Sequence, residues 1–449
     1  SREVSKISGI VHHRNIDHLP CHNMPYYSQY FPFTVLPVVL AGLYFVFEKR
    51  LEKTWMRWAW WICSILILLV VGWYASQNPS WYDFYKGYYH SGRKIINKPD
   101  LLYDEACYGY VNFPLLAYVF VSLSNLPKAL AGALFFLAGY ISILPLAYWL
   151  VKFSNLKGWL RFVILALLAV SGPLDYSVWL GNTTHMIMLV LLIALWLFKQ
   201  GWHWVSGILF GSVGLIKIPL ILPAGYFFIR RQWRVVGGGL LIVLAVLGLS
   251  LWLIPFSLNS TWLSRCILSS AGHPVAAYNN QSAIGFFARE FMPGNLGWDL
   301  LTPTSEYKFA SNIALFFLYM PVFAMLILGR NTSRTKNVLL LEFFIFLVCS
   351  LLTSPISWTH YFVLLLAPIS FYLADDSLKS NKAWLNILLW IGAVLITLPV
   401  KLEQALFEMT NQSLLLSLHF VGGLLLYVVL FLAWVDVYRQ SRRTIFVDG

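Results

Sequence analysis

Apolar stretches about as long as a membrane is thick, joined by short polar segments, run along almost the whole chain. Residues 58–76 (WAWWICSILILLVVGWYAS), 128–151, 162–180, 185–198, 235–255, 310–328, 338–354, 360–374, 384–400 and 413–435 read as spans. About 20 consecutive apolar residues cross the hydrocarbon layer as a helix. Residues 33–47 (FTVLPVVLAGLYFVF) are shorter, and either lie in the interface or cross a thinned bilayer. FPLLAYVFVSLSNLP, ending at Pro127, suits a helix lying in or re-entering the membrane. Residues 204–229 carry basic flanks at both ends, Lys199 before and Arg230, Arg231 and Arg234 after, and are broken by LIKIP. With both ends on one side, this stretch predicts two short helices meeting at Lys217 and Pro219. The pattern predicts an all-α polytopic membrane protein of twelve spans from residue 58 on, or thirteen if 33–47 crosses. Residues 1–50 form an extension and 51–449 one transmembrane domain, with large polar loops at 77–127 and 256–309.

Composition agrees with this pattern and excludes a soluble domain: 59% of residues are hydrophobic, 11% are charged, and mean hydropathy is +0.68. The net charge of +13 does not imply nucleic acid, because the basic residues sit in short clusters between spans. The joins 48–57, 152–161, 199–204, 230–234, 330–336 and 375–383 and the tail from 436 hold 19 of the 32 Lys and Arg. Positive joins stay inside, so the 58–76 span runs outward and both large loops lie outside, with the carboxyl terminus inside. The five cysteines show no metal-binding spacing; Cys107 and Cys266 share the outer side and could pair. His12, His13, His18, Cys21 and His22 are possible metal ligands in a polar tail whose plainer reading is no metal site. The absence of an opening Met suits processing of this segment. The five N-x-S/T matches, at Asn182, Asn259, Asn280, Asn331 and Asn411, are chance expectations.

With the orientation fixed, four polar motifs share the outer side: DFYKGYYHSG from Asp83, GNTTH from Gly181, HPVAAYNNQSAIGFFARE from His273, and SPISWTH from Ser354. Asp83 is the acid best placed to act as a base, with Lys86 or Gly87 and His90 on its face if the loop starts as a helix. Asp175 is a second acid, expected to satisfy polar groups inside the bundle. Lys217, at the hairpin break, costs a few kcal/mol in lipid unless it faces water or an anion. Lys217, Arg93, Arg289, His360, Asn280 and Gln281 are donors suited to a phosphate and to hydroxyl-rich groups, and Ser357 and Trp358 shape the turn before His360. Plainer alternatives stand beside these: a solvated acid at 83, a snorkelling lysine at 217 and an interfacial histidine at 360.

Taken together, DFYKGYYHSG followed by Tyr103 and FPL, the GNTTH turn, GILFGSVGLIKIPLILPAGYFFIRRQWR, NNQSAIGFFAR and SPISWTHYF resemble the GT-C superfamily, in particular glycosyltransferase family 87. The likeness covers residues 80 to about 370. It implies a GT-C fold with the active site on outer loops, a polyprenyl-phosphate sugar donor, most simply mannose, and a lipid-linked or glycan acceptor. It maps the catalytic base to Asp83 and a second catalytic residue to His360. The turn departs from the family in carrying Asn182 where Gln is usual and in lacking a following Asn, which bears on a sugar contact at Asn182. No carboxylate cluster suited to Mg²⁺ or Mn²⁺ is present, so a metal-independent reaction is expected. The rival class is a flippase of lipid-linked sugars, favoured by the broken hairpin but not by any internal repeat. A whole-glycan ligase would want a larger, Arg-rich outer loop.

Overall fold

The computed structural model describes residues 31–77, 81–103, 109–268, 272–292, 296–329, 335–379 and 382–447. The tail histidines and Cys21 lie outside them, as does Cys107. The described residues are helical, and the one strand-like pairing among them is a bridge between Asn280 and Trp358. Six helices are long and apolar enough to cross a membrane: Thr54–Ala75, Lys128–Ser154, Trp233–Leu253, Ser305–Leu328, Lys336–Thr353 and Ser413–Ser441. Two bent pairs raise the number to eight, Leu160–Ala169 with Gly172–Leu180 at 42° and Ala383–Thr397 with Val400–Thr410 at 90°. The remaining expected spans are shorter apolar helices, among them Phe33–Phe47, Thr184–Gln200 and Thr359–Ala374. The turn at Val170–Ser171 bends a segment that apolar length alone reads as one span, and Pro399 turns the chain where the apolar run gives way to the more polar Val400–Thr410.

Burial separates the helices into centre and rim. Lys336–Thr353 is 83% buried, whereas Trp233–Leu253 is 17% and Thr54–Ala75 22% buried, so the first is the axis and the others face lipid. Inside lipid, helices gain little by hiding apolar surface and associate by close packing of small residues. Gly207 and Gly211 on the first hairpin arm meet Gly238 and Gly239 on the rim helix in this way. A Cβ on Gly207 would lie 2.0 Å from the Val235 carbonyl oxygen, and one on Gly238 would lie 2.2 Å from that of Trp204. The helix Phe31–Phe47 joins the same bundle, stacking Phe45 on Tyr148 at 5.7 Å.

The polar joins sort into two ends. Those expected to share the inner side touch one another: Lys336 donates to the Lys199 carbonyl at 2.7 Å, Asn337 to Asp375 at 2.6 Å, and Lys382 to Asp436 at 3.2 Å. Arg161 approaches Glu48 at 3.9 Å at the same end. The expected hairpin is present as His203–Ile216 and Ile221–Ile229, with Lys217 extended at the break and a 3₁₀ turn Ile218–Leu220 after it. Its basic flanks sit at the end of these basic joins while Lys217 meets the motifs at the other.

Candidate functional site

The site is built where two turns are pressed together. The helix Gly172–Leu180 starts on Ser171, whose hydroxyl accepts from the Leu174 N–H at 3.3 Å, and stops at Gly181 with φ of 66°. That left-handed stop suits glycine, and any side chain there would also collide with the first polar loop, since a Cβ would lie 2.9 Å from that of Phe84. Asn182 is thereby brought beside Asp83. On the opposite wall, Phe84 stacks on Phe135 at 4.5 Å and fixes the loop.

The loop does start as a helix, but Phe84–Tyr89 winds as a π-helix before the α-helix His90–Asn97. The wider turn changes which residues share a face. Lys86 folds onto Tyr82, with Nζ donating to the phenol at 3.0 Å, and Arg93 is exposed on the following helix. The helical face expected to carry Lys86 or Gly87 and His90 with Asp83 is rewound here, and residues from other parts of the chain reach Asp83.

Those residues are Asn182 and Lys217. Asn182 Nδ2 donates to Asp83 Oδ2 at 2.7 Å, and Lys217 Nζ donates to Asn182 Oδ1 at 3.0 Å. Lys217 is buried and stands 4.9 Å from the centre of the Tyr361 ring, so it does not snorkel to a headgroup layer. Asp83 is half-buried, and burial pushes its pKa above the ordinary carboxylate value, against the pull of the Asn182 hydrogen bond and the Lys217 charge. Tyr88 completes this wall, its hydroxyl 3.4 Å from Thr183 Oγ1.

His360 lies close by. It is buried, edge-on to Tyr361 at 4.8 Å and tilted against Tyr176 at 6.2 Å, and neither ring nitrogen has a hydrogen-bond partner within the protein. The Ser357 hydroxyl is buried and unpartnered too. Buried polar groups are almost always paired, so such orphans mark places where something else is to be bound. Asp175 departs from its expected role in the same sense: it is 2% exposed, and neither carboxylate oxygen finds a partner.

Asn280, Gln281 and Arg289 do different work from that expected. Asn280 donates to the carbonyls of Val275 and Pro355 and accepts from the Ser357 N–H at 2.9 Å. Gln281 donates to Leu416 at 2.7 Å and accepts from the Phe420 N–H. Arg289 holds the carbonyls of Ala277 and Asn280 and the Ser417 hydroxyl, and burial lowers its pKa to about 10. These three tie the second large loop to SPISW and to the chain near Ser417, with Arg289 Nε buried and unpartnered. Trp358 takes part through the backbone bridge to Asn280 and is half-buried. The sequence alone did not single out Tyr361 or Thr184, although each adjoins or lies within a motif already marked. Among the described residues, no three His, Cys, Asp or Glu gather as metal ligands. Cys266 is disulfide-bonded, while Cys63 and Cys349 are free.

Comparison with known proteins places the chain in a family. The sequence profile of glycosyltransferase family 87 matches residues 110–355. A polyprenol-phosphate-mannose-dependent alpha-(1-2)-phosphatidylinositol pentamannoside mannosyltransferase of Mycobacterium tuberculosis is 28% identical over 259 residues, 57% of this chain and 56% of that protein. A protein of the same name from Mycolicibacterium smegmatis is 25% identical over 400 residues, 85% of this chain and 90% of that protein. The family match takes in Asn182 and Lys217 and ends short of Asp83 on one side and His360 on the other. No solved structure matches the chain.

Proposed function

Since the chain belongs to glycosyltransferase family 87, and is by that a membrane glycosyltransferase, we propose that it moves one mannose from a polyprenyl-phosphate donor to a mannosylated lipid acceptor. The transfer takes place at the outer face of a bacterial plasma membrane, with Asp83 as base. The observation that carries this reading is a single amide, Asn182, joining an acid to a buried cation: 2.7 Å to Asp83 and 3.0 Å to Lys217. An acceptor hydroxyl gives its proton to Asp83 as its oxygen bonds to the anomeric carbon, and the bond from that carbon to the phosphate oxygen breaks in the same displacement. One displacement inverts the centre, so the α-(1-2) linkage in the relatives' names corresponds to a β-linked donor.

The leaving phosphate monoester needs charge stabilisation more than a proton. An ammonium has three N–H donors, and Lys217 spends one on Asn182, leaving others for the phosphate. The unpartnered nitrogens of His360 supply or accept a further hydrogen bond beside it, and no metal is required in this scheme. Two features support an outer location. Basic joins collect at the opposite end, and the bonded Cys266 on the second large loop fits an oxidising compartment.

The test is product formation by the purified protein in detergent, where transport has no meaning, from polyprenyl-phosphate mannose and a mannosylated phospholipid. A new mannolipid made by the wild type and not by Asp83→Asn is expected. Turnover by Asp83→Asn within tenfold of wild type, less than the roughly 10²-fold usually lost with a general base, would overturn the assignment.

A further inference from the structure

We propose that Asn182 is a positioning residue and not a sugar contact: its amide clamps the base Asp83 to the donor-binding Lys217, and Thr184 sets which way that amide faces. This rests on the roles given above to Asp83 and Lys217 and adds what holds them in register.

The argument is one of donors and acceptors. Asn182 Oδ1 receives three donors, Lys217 Nζ at 3.0 Å, the Thr184 N–H at 3.1 Å and the Thr184 hydroxyl at 2.8 Å. Two of them, the Lys217 ammonium and the Thr184 N–H, only donate and cannot be met by an NH₂ group, while the Thr184 hydroxyl turns to suit. The oxygen must therefore face Lys217, and the NH₂ must face Asp83, where Oδ2 accepts at 2.7 Å. A flipped amide would oppose donor to donor on one side and oxygen to carboxylate on the other. With 6% of its surface exposed and its oxygen filled, Asn182 offers a sugar little to bind.

The clamp has a chemical consequence. Occupying Oδ2 from one fixed direction leaves Oδ1 of Asp83 as the oxygen turned to an acceptor hydroxyl. The N–H also favours the ionised carboxylate, offsetting part of the burial that opposes it. A further link steadies the turn from beneath: the Ser177 hydroxyl lies 2.9 Å from His185 Nδ1 and donates to the Asn182 carbonyl at 3.4 Å.

The same contacts could belong to a helix cap alone, because the Asn182 side chain accepts the first N–H of Thr184–Gln200. The pH profile of kcat separates the two. Asn182→Asp keeps the shape and the oxygen facing Lys217 and Thr184, but sets a carboxylate against Asp83. It is expected to lower kcat at neutral pH by roughly 30-fold or more and to move the acid limb up by about one pH unit, as a neighbouring like charge does. The donor KM should stay within about threefold, since the charge of Lys217 is kept. Thr184→Val should shift the limb in the same direction by less, and Thr184→Ser should restore it.

An unmoved acid limb with a raised donor KM or altered sugar preference in Asn182→Asp would make Asn182 a sugar contact and overturn the proposal. So would lowered Tm with a wild-type pH profile in both Thr184→Val and Asn182→Asp, which is the result for a cap. Failure of the underlying reading is distinguishable, because it appears as retained turnover in Asp83→Asn whatever the Asn182 variants do.

Discussion

The two ends of the bundle bury polar groups in opposite ways. At the end of the basic joins, Glu342 on the axial helix accepts from Tyr226 at 2.7 Å, Arg230 at 2.8 Å and Trp434 at 2.9 Å, and Arg230 reaches the Met325 carbonyl as well. Within that network around Glu342 each charged group has a partner. At the other end, His360, Ser357 and Asp175 are as deeply buried but have orphaned atoms. The hairpin at Lys217 joins the two: Tyr226 and Arg230 anchor its second arm in the satisfied network, while its break presents a cation to the unsatisfied one. Buried polar groups that complete one another hold a fold, and those left incomplete are kept for a ligand.

The sharpest break of this contrast is Asp83→Asn. It should lower turnover between 10² and 10⁴-fold, the range a general base supplies, with the protein still folded and donor still bound. In the wild type, burial holds the Asp83 pKa above the ordinary carboxylate value. Turnover should then fall as pH drops through that raised value and the base takes a proton, and this limb should vanish in the variant. A rate that stays flat on the acid side in the wild type would count against Asp83 as base.

Glu342→Gln tests the opposite end. It leaves the Arg230 guanidinium buried without its counter-charge and should cost about 3 kcal/mol, the low end for breaking a buried pair. Thermal unfolding in detergent reads this as a lower Tm, while kcat of the folded fraction stays unchanged. A wild-type Tm would show that the Glu342 network is not what secures the hairpin.

Lys217→Ala should raise the donor KM about tenfold, the loss of one charge-assisted hydrogen bond of roughly 1.4 kcal/mol, and leave the acceptor KM nearly unaltered. Equal losses for both substrates would detach Lys217 from the phosphate. Asp175→Asn should have the smallest effect on stability, leaving Tm nearly unchanged, because no hydrogen bond is lost and the shape is kept. A drop as large as that of Glu342→Gln would mean that the two ends do not differ as described.

Much of the architecture was legible in the order of residues. Basic clusters between apolar runs gave the two ends, and the contact of Lys336 with Lys199 and of Asn337 with Asp375 shows why that works: joins of one sign gather where spans begin and stop. The hairpin break at Lys217 was legible too, since two basic flanks and a central Lys-Ile-Pro admit little else. The π-helix after Asp83 and the 42° bend between Leu160–Ala169 and Gly172–Leu180 were not, because apolar content does not report how a helix winds or where it bends.

The site divides along the same line. Sequence by itself marked Asp83, Lys217 and His360, since a charged or titratable residue beside apolar spans is costly and so draws notice wherever it stands. It could not separate Asn182 from Asn280, Gln281 and Arg289, all polar and all in outer motifs. Only the tertiary structure decided that Asn182 bridges the acid and the cation while the other three bond mainly to backbone carbonyls and N–H groups. The physical reason is that a donor or acceptor has a fixed capacity, and whether any remains for a substrate depends on neighbours 99 residues away, as between Asp83 and Asn182, or 135 residues away, as between Gln281 and Leu416.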